Sequence, residues 1–156
     1  MSRWQIRIAV LLAAGVVMGQ VPVEASTKTA AAVLETLAVK GRAPKTGYER
    51  SQFGPAWSDV DHNGCDTRND ILYRDLTAIE FKAGTHDCVV VSGILVDPYS
   101  GEKISFVRGV GSSMEVQIDH VVALSNAWQT GAFKLSYDKR LAFANDPMNL
   151  LAVKGR

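Results

Sequence analysis

The chain has 156 residues, enough for one domain of ordinary size and too few for two. Apolar residues make up 47% of the sequence and charged residues 21%, which excludes an intrinsically disordered chain. The 17 basic and 16 acidic residues give a net charge of +1, so the overall charge excludes a protein that holds polyanions through its bulk field.

The first 25 residues have the features of a secretory signal. Two arginines precede an uncharged apolar run over residues 8–18, and small side chains precede a predicted cleavage site after Ala25. An uncleaved membrane anchor or a lipid attachment is the alternative. The run is shorter than the roughly 20 residues that span a bilayer, and it contains no cysteine. We therefore expect an exported chain with no stable membrane association, in which cleavage leaves equal numbers of basic and acidic residues.

Cys65 and Cys88 are the two cysteines of the chain. In an oxidising compartment an even pair predicts a disulfide, which would stabilise the fold by about 3 kcal/mol. A metal site would need more soft ligands nearby than the sequence offers.

The N-terminal part of the mature chain is predicted to be irregular. Residues 26–47 form a flexible leader that could include a short helix over 26–36, and the compact domain is expected over residues 48–156. Within it, residues 69–76 carry apolar groups typical of a helix end or a buried turn.

Three segments of the domain are predicted to be strands. Residues 88–96 are rich in β-branched side chains, 97–101 form a strong turn sequence, and 103–107 alternate polar and apolar, which predicts a hairpin. Residues 116–120 are a further strand that ends in polar residues.

Two helices and a last extended segment follow. Helical spacing of apolar residues over 121–130 stops at Gly131, and a second helix over 137–144 ends at Asn-Asp-Pro. Residues 149–153 are again extended. The elements together predict an α+β fold, a small β-hairpin or sheet with helices, in whose core Leu124, Trp128 and Phe143 pack rather than stack on a substrate.

One repeat has no physical explanation in the sequence. The hexapeptide LAVKGR occurs at residues 37–42 and again at 151–156.

Asp119 and His120 are the residues that point to chemistry. Adjacent side chains on a strand project to opposite faces, so one group can hold a metal ion while the other activates a water. Hydrolysis of a phosphodiester needs a cation to stabilise the developing oxyanion and a base with a near-neutral pKa. Aspartate is an oxygen ligand suited to Mg²⁺, and histidine is the natural base.

The surrounding sequence resembles an exported HNH (ββα-metal) nuclease domain related to the C-terminal domain of GmrSD-type restriction enzymes. The resemblance runs from about Tyr48 to the last residue. Its motifs are CDTRN at 65–69, DPYSG at 97–101, DHVVAL at 119–124, AW at 127–128, GA at 131–132, Arg140, FAND at 143–146 and NLLAV at 149–153.

This resemblance implies roles for individual residues. Asp119 would be a metal ligand, His120 the general base, and Asn149 the central asparagine that pins the loop between strand and helix. Arg68 would contact phosphate, since a guanidinium suits bidentate recognition of phosphate oxygens. Asp66 would orient Arg68 or His120.

The chain departs from the family pattern at its C-terminus. In the family, the segment after the central asparagine leads into a helix that brings the last metal ligand, whereas this sequence ends at Arg156. We therefore expect an incomplete ββα-metal motif, in a truncated product or an inactive copy.

The expected function is that of a metal-dependent endonuclease acting on DNA or RNA outside the cytoplasm, with Mg²⁺ as the metal and Mn²⁺ or Zn²⁺ as alternatives. The rival is a catalytically inactive remnant, or a nucleic-acid-binding domain, of the same family.

A calcium loop is a competing interpretation of residues 59–64. Oxygen side chains at its first, third and fifth positions and glycine at its sixth match the opening of an EF-hand loop, with Asp70 at the twelfth. The family motif that begins at Cys65 explains the same stretch. No clear amphipathic helix precedes Asp59.

Three further residues have alternative interpretations. Arg140 either contacts phosphate or lies on a solvated helix face beside two charged neighbours. His62 and His86 could replace a missing metal ligand, but their polar, turn-like surroundings predict exposed side chains.

Overall fold

The computed structural model describes residues 28–155, so the predicted signal peptide lies outside the described residues. The chain divides into two units between Val39 and Lys40. In the described part of the first unit, helix α1 (Ala30–Leu34) begins after Thr29, whose hydroxyl accepts a hydrogen bond from the Ala32 amide at 3.2 Å. Over residues 28–155, no helix combines the length and apolar character needed to cross a bilayer.

The second unit contains helices and strands in alternation. In chain order they are a 3₁₀ turn (Arg50–Phe53), α2 (Thr67–Asp75), β1 (Leu76–Phe81), β2 (Val90–Val96), β3 (Lys103–Val107), a 3₁₀ turn (Ser112–Met114), β4 (Val116–His120), α3 (Leu124–Thr130), a 3₁₀ turn (Ala132–Lys134), α4 (Tyr137–Ala144), a 3₁₀ turn (Pro147–Asn149) and β5 (Leu150–Lys154). The predicted α+β class is confirmed.

Two antiparallel sheets form the scaffold. One has the order β1-β2-β3, and the other pairs β4 with β5. The predicted hairpin is β2–β3, with Ser92 opposite Val107 and Val96 opposite Lys103. Strand β1 was not predicted, because polar and apolar residues do not alternate along it. Its pairing with β2 is interrupted, and Ala78 adopts a left-handed φ of 49°.

The helices follow from capping and apolar spacing. The segment predicted as a helix end is a full helix, α2, which begins at Thr67 because the Asp66 carboxylate accepts a hydrogen bond from the Asn69 amide at 2.9 Å. Helix α4 spans the predicted residues, with Ser136 as its N-cap. Helix α3 begins three residues later than predicted, after a segment that Asn149 holds.

The apolar side chains form two buried clusters. The first lies among α2 and both sheets and consists of Ile71, Leu72, Leu76, Val90, Leu95, Ile104, Phe106, Val116, Ile118, Leu150 and Ala152. The second consists of Phe53, Leu124, Ala127, Trp128, Ala132 and Ala144, with Tyr48 and Phe143 packed against it. The predicted core roles of Leu124, Trp128 and Phe143 are confirmed.

The segment before Tyr48 already packs on the second unit. The Ala43 amide donates to the Gln129 carbonyl at 2.8 Å, and the Trp128 indole donates to the Thr46 carbonyl at 3.3 Å. These bonds to α3 place residues 43–46, expected in the leader, in the compact unit.

A disulfide joins Cys65 to Cys88, with their Cα atoms 5.1 Å apart. It links the segment before α2 to the segment before β2. The spacing lies within the usual range for such a bond.

Side chains close the outer edge of β5. Arg74 donates to the Leu150 carbonyl at 2.6 Å, and Asp75 accepts from the Ala152 amide at 2.8 Å. Asp97, in the β2–β3 turn, accepts from the Lys154 amide at 2.9 Å. Three backbone groups at this edge are therefore satisfied, and both α2 and the larger sheet are tied to β5.

Asp97 is buried and accepts hydrogen bonds from the Ser100 hydroxyl and amide as well. The Ser100 hydroxyl, followed by backbone N–H groups, lowers the pKa of Asp97 below its usual 3.8. Because the folded-state pKa is the lower one, the stabilisation is complete above the unfolded value and is lost as the pH falls through the folded value.

We therefore expect Asp97→Asn to lower the free energy of unfolding at pH 7 and to make little difference at the lowest pH at which the chain stays folded. Urea titrations across this range measure the effect. Glu115→Gln, at an exposed carboxylate, is the matched control. An equal loss at every pH would contradict the assignment.

Candidate active site around His120

The end of β4 places Asp119 and His120 on opposite faces. Val116, Ile118 and His120 alternate with partly exposed residues and face the core, whereas Asp119 projects to the other side. The His120 side chain is 9% exposed, close to the burial of its apolar neighbours on the strand. His120 is thus buried rather than exposed at the surface.

Two contacts fix the imidazole of His120. Its Nε2 lies 2.9 Å from the Ala144 carbonyl oxygen, at the end of α4. A carbonyl only accepts, so Nε2 carries the proton and Nδ1 of the neutral ring is an acceptor. The Trp57 ring lies nearly parallel to the imidazole, with centroids 6.1 Å apart and planes 16° apart.

The surroundings of His120 favour its neutral form. Burial lowers the pKa of His120 below its usual 6.5, and the nearby positive charge of Arg50 lowers it further. The Ala144 carbonyl and the Asp119 carboxylate act in the opposite direction. The net result is a pKa below 6.5, which favours the neutral imidazole.

Asp119 is held by a tyrosine. Its Oδ2 accepts a hydrogen bond from the Tyr99 hydroxyl at 2.9 Å, which raises the pKa of that phenol. Its Oδ1 accepts no hydrogen bond from residues 28–155. Within this part of the chain, no three acidic, histidine or cysteine side chains converge as a metal site. Asp119 fits as a single oxygen ligand of Mg²⁺ or Mn²⁺, ions that take one or two carboxylates with phosphate and water.

Asn149 ties the segment after β4 to the start of β5. Its Oδ1 accepts from the Val122 amide at 2.7 Å, and its Nδ2 donates to the Val122 carbonyl at 3.3 Å. Its own carbonyl accepts from the Val121 amide at 2.9 Å. These bonds explain why α3 starts only at Leu124.

Arg68 and Asp66 do not reach this site. Arg68 donates to the Val116 carbonyl at 2.9 Å, at the opposite end of β4 from His120. Asp66 caps α2 through the Asn69 amide and accepts from the Asn69 side-chain amide, both at 2.9 Å. This placement speaks against a phosphate contact for Arg68 and against an orienting role for Asp66 at His120.

Arg140 is likewise engaged in the fold. It donates to the Gln52 carbonyl at 2.7 Å and to the Leu135 carbonyl, and its guanidinium lies over the Trp128 ring at 5.8 Å. The solvated-face interpretation and the phosphate role are both at odds with these contacts. Arg140 instead clamps the Arg50–Phe53 turn onto α4.

The residues that sequence reasoning missed come from segments interpreted only as turns. Arg50 and Trp57 line a small pocket with His120, Phe53 and Asn145. A second depression, bordered by Arg50, Asp119, His120 and Ser125, adjoins it. The signal available in the sequence was an arginine and an aromatic residue on either side of Phe53-Gly54-Pro55.

Trp57 and Asn145 carry unusual features in this pocket. Trp57 has a left-handed φ of 60°, a conformation that costs a bulky residue free energy and that often marks a functional site. Asn145 is 1% exposed and donates to the Leu141 carbonyl, but its Oδ1 has no partner in the described part of the chain. The pocket, about 20 Å³, has room for one water.

The loop considered for calcium is closed by its own hydrogen bonds. Asp59 accepts from the Gly64 amide at 3.0 Å, and the Asn63 side chain donates to both Asp61 and Asp70 at 3.2 Å. His62 lies on this loop, exposed as predicted.

His86 lies in the turn between β1 and β2. It too is exposed, as predicted.

Comparison with known proteins identifies the family. The model of the C-terminal domain of GmrSD restriction endonucleases matches residues 66–156. An uncharacterized secreted protein of Arthroderma benhamiae is 36% identical over 153 residues, which cover 94% of this chain and 70% of that protein. No solved structure matches significantly. The chain therefore belongs to the family of C-terminal domains of GmrSD restriction endonucleases, as its motifs predicted.

Proposed function

We propose that the chain is an exported, metal-dependent endonuclease that hydrolyses phosphodiester bonds of DNA or RNA, with His120 as general base. The observation that carries the proposal is the bond from His120 Nε2 to the Ala144 carbonyl. It leaves Nδ1 as an acceptor in a neutral ring, the form a base must have to take a proton from water. Membership of a restriction endonuclease family supports nucleic acid as the substrate.

The proposed reaction divides roles between the two faces of β4. His120 Nδ1 takes a proton from a water, the water oxygen forms a bond to phosphorus, and the P–O bond to the leaving sugar oxygen breaks. Solvent returns a proton to that oxygen. A Mg²⁺ or Mn²⁺ ion held by Asp119 would supply charge stabilisation for the phosphoryl oxygens.

The other residues of the site act through these two. Tyr99 fixes one oxygen of Asp119 by its hydrogen bond, which leaves Oδ1 for the cation. Trp57 lies nearly parallel to the imidazole and lines the same pocket. Asn149 holds the backbone that follows His120.

We further propose that residues 1–25 are a cleaved signal, that 26–47 form a leader whose residues 43–46 pack against α3, and that 48–156 form the nuclease domain. The Cys65–Cys88 disulfide supports an oxidising compartment, and the related fungal protein is described as secreted.

The assignment of the base is tested on supercoiled plasmid DNA and on an RNA transcript with Mg²⁺ or Mn²⁺. We expect His120→Ala to lower kcat by about 10²-fold or more, because general-base catalysis contributes that much. Asp119→Asn should remove most of the activity, and the activity that remains should not depend on added metal. His86→Ala, at an exposed histidine, is the control.

Cleavage that survives His120→Ala would refute the assignment. Binding of nucleic acid without cleavage by the unmodified chain would indicate instead a nucleic-acid-binding domain of the same family.

Asn149 is expected to act as a positioning residue. Asn149→Ala removes both bonds to Val122, which should lower the free energy of unfolding by about 1–2 kcal/mol and reduce kcat more than it changes KM. Asn149→Asp keeps the acceptor for the Val122 amide and should recover part of both losses. Urea unfolding and steady-state kinetics measure them. Failure of Asn149→Asp to recover either would argue against the proposed bonding role.

Export predicts a defined mature chain. The protein collected from culture medium should begin at Ser26, as read by N-terminal sequencing. Its intact mass should be lower by two hydrogen atoms than the mass of the same chain with both cysteines reduced. A cell-bound chain that begins at Met1 would contradict the proposal.

A further inference from the structure

We propose that Arg50 binds a phosphate oxygen of the nucleic acid at the mouth of the His120 pocket, an inference that rests on the proposed nuclease function. Arg50 precedes the residues that the family model matches. Its place beside the base follows from the fold of the 3₁₀ turn and not from the Asp-His motif.

Arg50 differs from the other arginines of residues 28–155 in its hydrogen bonding. Of the six arginines among residues 28–155, five donate hydrogen bonds to backbone carbonyls or side chains of the same chain, namely Arg42, Arg68, Arg74, Arg108 and Arg140. Arg50 is exposed and has no hydrogen-bond partner or ion pair within this part of the molecule. Its five N–H donors are therefore available to a ligand.

The position of Arg50 relative to the reacting groups is specific. It lines both depressions at the site, the pocket that contains Trp57 and His120 and the groove that contains Asp119 and His120. A phosphate seated between Arg50 and His120 would meet a cationic donor on one side and the base on the other.

The backbone that carries Arg50 is rigidly seated. Phe53, at the end of the same turn, is 1% exposed in the second buried cluster. Gln52 is clamped by Arg140, and Gly54 has a φ of 84° with no room for a Cβ beside Leu141. The backbone of Arg50 is thus held in place by packing, while its exposed side chain can reach a phosphate.

Binding of a nucleic acid by this chain depends on local positive groups, because its net charge is small. The net charge is +1, so no general positive field concentrates a polyanion at the surface. A planar guanidinium binds phosphate through paired hydrogen bonds, which an ammonium group does not reproduce.

Binding is measured with the full chain carrying His120→Ala, so that the probe is not cleaved. The probes are a labelled DNA duplex and a labelled RNA strand, each titrated over a series of KCl concentrations. Adding Arg50→Gln should weaken binding of the true substrate by about tenfold and reduce the slope of log K against log salt by about one, as expected for one lost phosphate contact. Arg50→Lys should keep the slope and recover only part of the affinity.

Lys103→Gln removes one positive charge from an exposed position on β3 and is the matched control. Cleavage kinetics of Arg50→Gln with His120 intact complete the test, with kcat/KM expected to fall about tenfold. Unfolding midpoints show that the variants are folded.

The outcomes separate this inference from the proposed function. If the unmodified chain cleaves a probe and Arg50→Gln behaves as Lys103→Gln, Arg50 is not the contact and the nuclease assignment stands. If the chain binds a probe without cleaving it and Arg50→Gln lowers the salt slope, the phosphate contact stands and the nuclease assignment fails. An unchanged slope and affinity with both probes overturns the inference.

Discussion

The antiparallel pairing of β4 with β5 is the constraint on which the site depends. It places His120 opposite Leu150, so the end of one strand meets the beginning of the other. Asn149, immediately before β5, is thereby brought beside Val122, immediately after β4. Residues far apart in sequence become neighbours because of strand direction, and α4, which lies between them in sequence, ends beside His120.

Four charged residues hold that ribbon in place. Arg74, Asp75 and Asp97 occupy the outer edge of β5, and Arg68 binds the start of β4. Each bond directs a charged side chain at a backbone group, where hydrogen bonds are stronger than between neutral partners. Among the six arginines of residues 28–155, hydrogen bonds within the chain therefore leave only Arg50 without a partner.

The sequence predicted the parts of the fold in which local pattern and tertiary structure agree. Strand β3 alternates cleanly, the β2–β3 turn has strong turn chemistry, and helix α4 has the predicted bounds. Strand β1 escaped prediction because a bulge removes its period. The two copies of the hexapeptide LAVKGR show that tertiary contacts also decide local structure. Residues 151–154 lie in β5, whereas residues 38–40 have no regular structure. Pairing with β4 decides the difference, not intrinsic propensity.

The candidate site divides in the same way. The motif singles out Asp119 and His120, at the end of β4, and Asn149, immediately before β5, and the strand pairing brings these residues together. The contacts of Arg68 and Arg140 lend no support to the phosphate roles expected for them, because a sequence cannot tell a guanidinium bound to carbonyls from one open to solvent. Arg50 and Trp57 come from a loop whose position depends on Phe53 packing in the second cluster, a long-range contact that no local pattern reports.

The burial of His120 affects both the stability of its protonated form and its proposed role as a base. Burial disfavours the charged imidazolium, which favours the neutral form that the proposed base requires but also makes protonation costly. The Ala144 carbonyl offsets part of that cost, because it stabilises the N–H whose acidity increases when Nδ1 is protonated. Asp119, across the strand, adds a favourable charge. The bond to the end of α4 thus does more than orient the ring, since it determines both the tautomer that receives the proton and the stability of the ion that forms.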